Sequence, residues 1–142
     1  IKQLACVMEI KEAQELLSAL PAREQLEALI DYGKQLKEFS ETEKKEENKV
    51  PGCVSTAYLT VEVKENKVYF SGYSDALTIK GYLAILINGF NGMNVKEFLS
   101  TAESIVKEFI TKTKLQASLT PSRANTLGNI IAIMIKKVRQ QV

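Results

Sequence analysis

Histidine is absent from this 142-residue chain. That removes Ser-His-Asp and Cys-His catalysis together with every histidine-ligated metal site. Cysteine is nearly absent, with two residues, Cys6 and Cys53. Two thiolates cannot complete a structural zinc site or an iron–sulfur site needing a full set of cysteine ligands. They are too far apart in sequence for a C-x-x-C motif. A Cys6–Cys53 disulfide is left open, although a bridge between a helix and a turn fits poorly with the missing export signal, which points to a reducing compartment. No apolar run reaches about 18 residues, so no membrane span is expected. The first residues lack a basic-then-apolar leader, and the sequence starts at Ile1 rather than Met. A net charge of +2 gives no strong pull toward nucleic acid or membrane. No G-x-x-x-x-G-K-[ST] phosphate loop occurs. We therefore expect no metal and no cofactor on the isolated chain.

What is present suits one domain over residues 1–142, with 45% hydrophobic residues to build its core. Residues 7–19 place Ile10, Ala13, Leu17 and Leu20 on one helical face. Pro21 suits the first turn of a second helix, running about 22–37 with Leu26, Leu29, Ile30 and Gly33 inward. The two helices are expected to form a hairpin. Residues 40–49 mix charges of both signs and offer nothing to bury, which predicts a solvated, slack connector. Residues 54–64 and 67–72 are β-branched and aromatic around a turn at Glu65-Asn66, an antiparallel pair. Ser74-Asp75 is positioned to cap a helix over 76–88, whose only charge is Lys80, so this helix is expected to be buried on most sides. Gly81 would let another backbone approach it.

Asn88 to Gly92 reads as a loop. Asn94 with Glu97, and Ser100 with Glu103, predict two successive capped helices. Ala102, Ile105, Val106, Phe109 and Ile110 form a stripe on the second. Thr120 then caps a last helix, with Pro121 at its first position and Ala124, Leu127, Ile131, Met134, Ile135 and Val138 inward. Strands and helices are segregated, so the fold class is α+β: a helical hairpin, a small antiparallel meander of two to three strands, then several helices.

The remaining candidate for chemistry is Cys53, in Val50-Pro51-Gly52-Cys53-Val54-Ser55. Pro51 fixes its own φ and Gly52 relaxes the next, which sets the cysteine on a turn where a thiol can meet another macromolecule. The plainer alternative is a buried cysteine acting as a small hydrophobe. Cys6, beside Ala5 and Val7, reads as core or a fraying end. With no histidine, activation of a thiol must come from Lys or Arg, a helix N-terminus or a partner. Sulfur exchange needs no internal base, since a thiolate can attack a sulfur already bonded to sulfur. Apolar neighbours such as Val50 and Leu59 suggest a thiol shielded at rest. Gly89-Phe90-Asn91-Gly92 has the spacing of a nucleic-acid-gripping G-x-x-G loop. It lacks Lys or Arg at its centre, so a helix cap and turn is the better reading and no nucleic-acid partner is expected.

Three motifs occur in order at familiar spacing: Val50 to Ser55; Gly72-Tyr73-Ser74-Asp75-Ala76 with Lys80-Gly81; and Leu119-Thr120-Pro121-Ser122-Arg123 with Leu127. Together they resemble the SufE family of cysteine-desulfurase sulfur acceptors, from about Ile10 to the C-terminus. The resemblance implies the SufE/NifU-like fold, a SufS-type desulfurase and the Suf scaffold complex as partners, and stimulation of the desulfurase. It implies Cys53 as sulfur acceptor, with Gly52, Ser55, Asp75 and Arg123 organising the loop or the partner surface. Asp75 is also expected to cap the core helix. A cytoplasmic setting follows, or an organellar stroma for a processed form; monomer or homodimer is left open. Val54, Thr56, Tyr58, Tyr73, Ser118 and Thr126 depart from residues common at these positions, which bears on partner identity rather than on the thiol. The competing expectation is a non-catalytic protein-binding module of the same fold with a structural cysteine.

Overall fold

The computed structural model describes the backbone of residues 2–51, 56–113 and 121–142, and side chains within these except at 2–7 and 121–125. Among the described residues there are five α-helices and one two-stranded antiparallel sheet. Helices α1 (Lys2–Ser18) and α2 (Ala22–Gly33) come first. Strands β1 (Ala57–Lys64) and β2 (Lys67–Ser74) follow. Then come α3 (Leu77–Phe90), α4 (Val95–Thr113) and α5 (Pro121–Gln140). The α+β class is as expected, with two strands.

Helix α3 is the centre. Eleven of its residues are buried, from Thr78 to Phe90, on every face. Sequence dictates this, because a helix with one charge and apolar residues all round can only lie inside. Sheet and helices pack around it, α2 most extensively. A Cβ on Gly81 would overlap the Leu29 carbonyl oxygen, and one on Gly33 would lie 3.1 Å from the Gly81 nitrogen. The two glycines let the backbones of α2 and α3 touch. Helices α1 and α2 touch each other little and lean on α3 instead. Gln25 joins their ends: its buried amide donates to the Leu17 carbonyl at 2.6 Å and to the Thr113 carbonyl, at the end of α4, at 3.1 Å.

The sheet is in register from Ala57↔Ser74 to Lys64↔Lys67. Glu65 and Asn66 both take positive φ, at 51° and 65°. That is the two-residue turn whose twist matches a hairpin. Val68, Phe70, Gly72 and Ser74 face inward on β2, as alternation predicts.

Several expectations are corrected. The second helix starts at Ala22 as expected, with Pro21 as its N-cap, but stops at Gly33 rather than near 37. The loop expected at 88–92 is shorter, since Gly89 and Phe90 complete α3. Asn91 then pairs with Phe70 as a strand would: the Phe70 N–H donates to Asn91 Oδ1 at 2.6 Å, and Asn91 Nδ2 to the Phe70 carbonyl at 3.3 Å. The turn is thereby latched to β2. The two helices expected at Asn94 and Ser100 are one. Asn94 does cap α4, accepting the Lys96 N–H at 2.9 Å, whereas Ser100 lies inside it and donates to the Glu97 carbonyl at 3.1 Å. The buried stripe Val95, Phe98, Ala102, Val106, Phe109 crosses Ser100 without a break, and burial of that stripe overrides a local capping pattern.

The largest correction concerns 40–49. This run forms two single-turn 3-10 helices, Glu41–Glu43 and Glu46–Asn48, and ends in the antiparallel bridge Lys49↔Tyr58. Its charges remain outside, but Asn48 and Val50 are buried, at 6% and 4% exposure. Flanking Phe39 is also buried, stacked on Tyr58 with ring centroids 6.2 Å apart. The run is an arm fastened at both ends, not slack. Among the described residues no helix is long and apolar enough to cross a membrane.

Candidate functional site

Cys53, Gly52 and Ser55 lie outside the described residues, as does the cap expected at Thr120. Arg123 falls in the first turn of α5, and its side chain is outside the described set. What the structure describes is the frame on which the Cys53 segment is strung. The Val50 N–H donates to the Ala57 carbonyl at 2.9 Å, so the two flanks of the segment are joined backbone to backbone. Ser74 secures the returning flank, its hydroxyl donating to the Thr56 carbonyl at 2.8 Å. The Asp75 N–H reaches the same carbonyl at 3.4 Å.

Asp75 is exposed at this corner, and it does not cap α3. The Ser74 hydroxyl instead accepts the Ala76 N–H at 3.2 Å, and no side chain caps the helix from its N-cap residue, Ala76. Helix α3 begins later than expected, at Leu77, because Ser74 is still paired in β2. The Asp75 carboxylate accepts a hydrogen bond from the Tyr73 hydroxyl at 2.8 Å. That bond, reinforced by the charge of Asp75, holds the Tyr73 phenol above the usual tyrosine range.

Tyr73 also gathers cations. The Lys44 ammonium lies 3.9 Å from its ring centroid and that of Lys80 5.9 Å. Lys44 is further paired with Glu41 at 2.8 Å, and this hydrogen bond holds its ammonium above the usual lysine range. A chain of contacts, Glu41–Lys44–Tyr73–Asp75, therefore links the arm before the Cys53 segment to the corner after it. Sequence reasoning missed Lys44, which looks like any lysine in a charged run. It noted Tyr73 inside the second motif and as a departure from the residue common there, without giving it a role. Asn48 was missed as well, although it is the one uncharged residue between Glu43 and Lys49.

A family model described as SufE, Fe-S metabolism associated domain, matches residues 11–138. An uncharacterised SufE-like protein of Synechocystis is 43% identical over 115 residues, covering 81% of this chain and 70% of that protein. The cysteine desulfuration protein SufE of Wigglesworthia glossinidia brevipalpis is 32% identical over 113 residues, covering 78% and 76%. The solution structure of a hypothetical protein from Thermus thermophilus superposes with a TM-score of 0.72 at 21% identity, covering 93% and 94% of the two chains, which establishes a shared fold. The chain belongs to the SufE family.

Proposed function

We propose that this chain accepts persulfide sulfur from a SufS-type cysteine desulfurase onto Cys53. It stimulates that enzyme and passes the sulfur to the Suf iron–sulfur assembly machinery. The Cys53 thiolate attacks the outer sulfur of the donor persulfide; the donor's S–S bond breaks as the new one forms, and the donor cysteine leaves as a thiolate that takes a proton. Only the sulfur atom changes hands, so no external oxidant or reductant is needed. A chain without histidine can perform this step, which asks for an accessible, ionisable thiol and not for a base. The setting is the cytoplasm or an organellar stroma.

The observation that carries the reading is the Val50–Ala57 hydrogen bond within a chain of this family. It ties together the ends of the short segment that includes Cys53. Covalent geometry then keeps the Cys53 Cα within about 11 Å of that of Val50, three residues away. The described flank at Thr56 is itself bonded to Ser74 and Asp75, next to Tyr73, and this supports a partner that docks over that corner.

The test is incubation with a desulfurase and cysteine, followed by non-reducing peptide mass spectrometry. Added sulfur is expected on Cys53 and not on Cys6. Cys53→Ser should abolish loading while still binding the desulfurase, and Cys6→Ser should load normally. Sulfur found mainly on Cys6, or normal transfer by Cys53→Ser, would overturn the reading.

A further inference from the structure

We infer that Asn48 is a positioning residue for the acceptor thiol: with Lys137 and Glu43 it locks the arm before Cys53 into one geometry against α5. The inference rests on the sulfur-acceptor reading. Its grounds are the three hydrogen bonds of a buried amide in an otherwise solvated run. Asn48 Nδ2 donates to the Glu43 carbonyl at 2.8 Å and to the Glu43 carboxylate at 3.1 Å, which uses both of its donor hydrogens. Its Oδ1 accepts from the Lys137 ammonium of α5 at 3.3 Å. The same ammonium donates to the Glu47 carbonyl, also at 3.3 Å. One lysine near the end of α5 thus holds the arm by a side chain and by the backbone next to it. Two residues further on, Val50 is buried and bonded to Ala57.

Stability alone is a poor account of this arrangement. A buried amide contributes little net stability over an apolar residue of the same shape, because both its groups must first leave water. What an amide adds is direction. It fixes where the backbone of Asn48 lies relative to Glu43 and to α5, five residues before the thiol. An arm that could slide would spread Cys53 over many positions, and group transfer is steeply sensitive to the placement of the reacting atom.

Asn48→Asp removes both donor hydrogens and sets a carboxylate against that of Glu43. Adding Glu43→Gln restores the side-chain hydrogen bond with donor and acceptor exchanged, while the carbonyl of residue 43 still lacks its donor, so the rescue expected of the pair is partial. Lys137→Met removes only the α5 end of the link and covers the case in which Asn48→Asp does not fold. Two readouts are needed. Hydrogen exchange at the Val50 amide, measured on the chain alone, should quicken by about tenfold in Asn48→Asp and Lys137→Met, and slow again in part in the double variant. Single-turnover sulfur transfer to Cys53 at saturating desulfurase should slow by roughly tenfold to a hundredfold in the same variants and recover in part with the pair. The half-saturating desulfurase concentration should stay put, because none of the substituted residues belongs to the Tyr73–Asp75 corner over which docking is proposed. Unchanged Val50 exchange overturns the inference, and so do loosened exchange with transfer at the wild-type rate and transfer that rises fully back on cooling below a lowered melting point. A wild-type chain that loads no sulfur on Cys53 overturns the sulfur-acceptor reading instead, and the transfer role of Asn48 with it.

Discussion

Replacing Gly81 by alanine sets two effects against each other, and the structure decides the sign. Inside a helix, glycine is worse than alanine by about 1 kcal/mol, so the substitution in α3 should help by that amount. The new Cβ, however, would overlap the Leu29 carbonyl oxygen and come within 2.7 Å of its carbon. Those atoms are backbone in α2, so no rotamer change can relieve the clash and the two helices must separate. Overpacking of a filled core costs about 1–3 kcal/mol, and a backbone obstacle puts this site at the upper end. The net expectation is a loss of about 2 kcal/mol, or roughly 6–8 °C in melting temperature for a chain of this size. Gly128 in α5 is the internal control, because a Cβ there meets nothing within 4 Å. Gly128→Ala should therefore gain about 0.5–1 kcal/mol. Urea titrations followed by circular dichroism measure both, and the slopes should match wild type if only stability has changed. If Gly81→Ala is as stable as wild type, α2 and α3 are not in backbone contact, and close approach is not the reason for glycine in the Lys80-Gly81 motif.

Other expectations follow from single contacts. Asp75→Asn should bring the Tyr73 titration, followed by phenolate absorbance, down toward the ordinary tyrosine value, because the carboxylate that raises it is gone. The raised phenol pKa means this contact stabilises the fold below the unfolded tyrosine pKa, near 10, and loses that contribution as pH climbs through the folded value. An unchanged titration would show that the Tyr73–Asp75 bond does not form in solution. Asn91→Ala leaves the Phe70 N–H and carbonyl without the side chain that pairs with them. It should cost about 1–3 kcal/mol by urea titration, and a neutral result would mean that water replaces the amide at no cost.

Periodicity and inventory carried the sequence a long way. Alternation placed both strands, and an all-round apolar run identified α3 as the buried centre, because both signals come from the repeat of a single element. Inventory narrowed the chemistry: without histidine, and with two cysteines, the Cys53 thiol became the leading candidate. The lysine at 80 and glycine at 81 were likewise legible, one as the sole charge on α3 and the other as a point of close approach. What sequence could not supply were the polar contacts between distant segments. Gln25 reaches Thr113 across 88 positions, and Lys137 reaches Asn48 across 89. Nothing local marks either pair, since an amide in a polar stretch is buried or solvated according to what another segment brings to it. The same reason turned the run at 40–49 from a slack connector into a fastened arm, and Ser100 from a helix start into the middle of α4. Local patterns propose such features, and burial of a continuous apolar stripe, or the closing of a backbone bridge such as Lys49↔Tyr58, decides among them. The sequence therefore singled out Cys53 as the candidate for the chemistry, and only the tertiary structure decided how the described chain on either side of it is held.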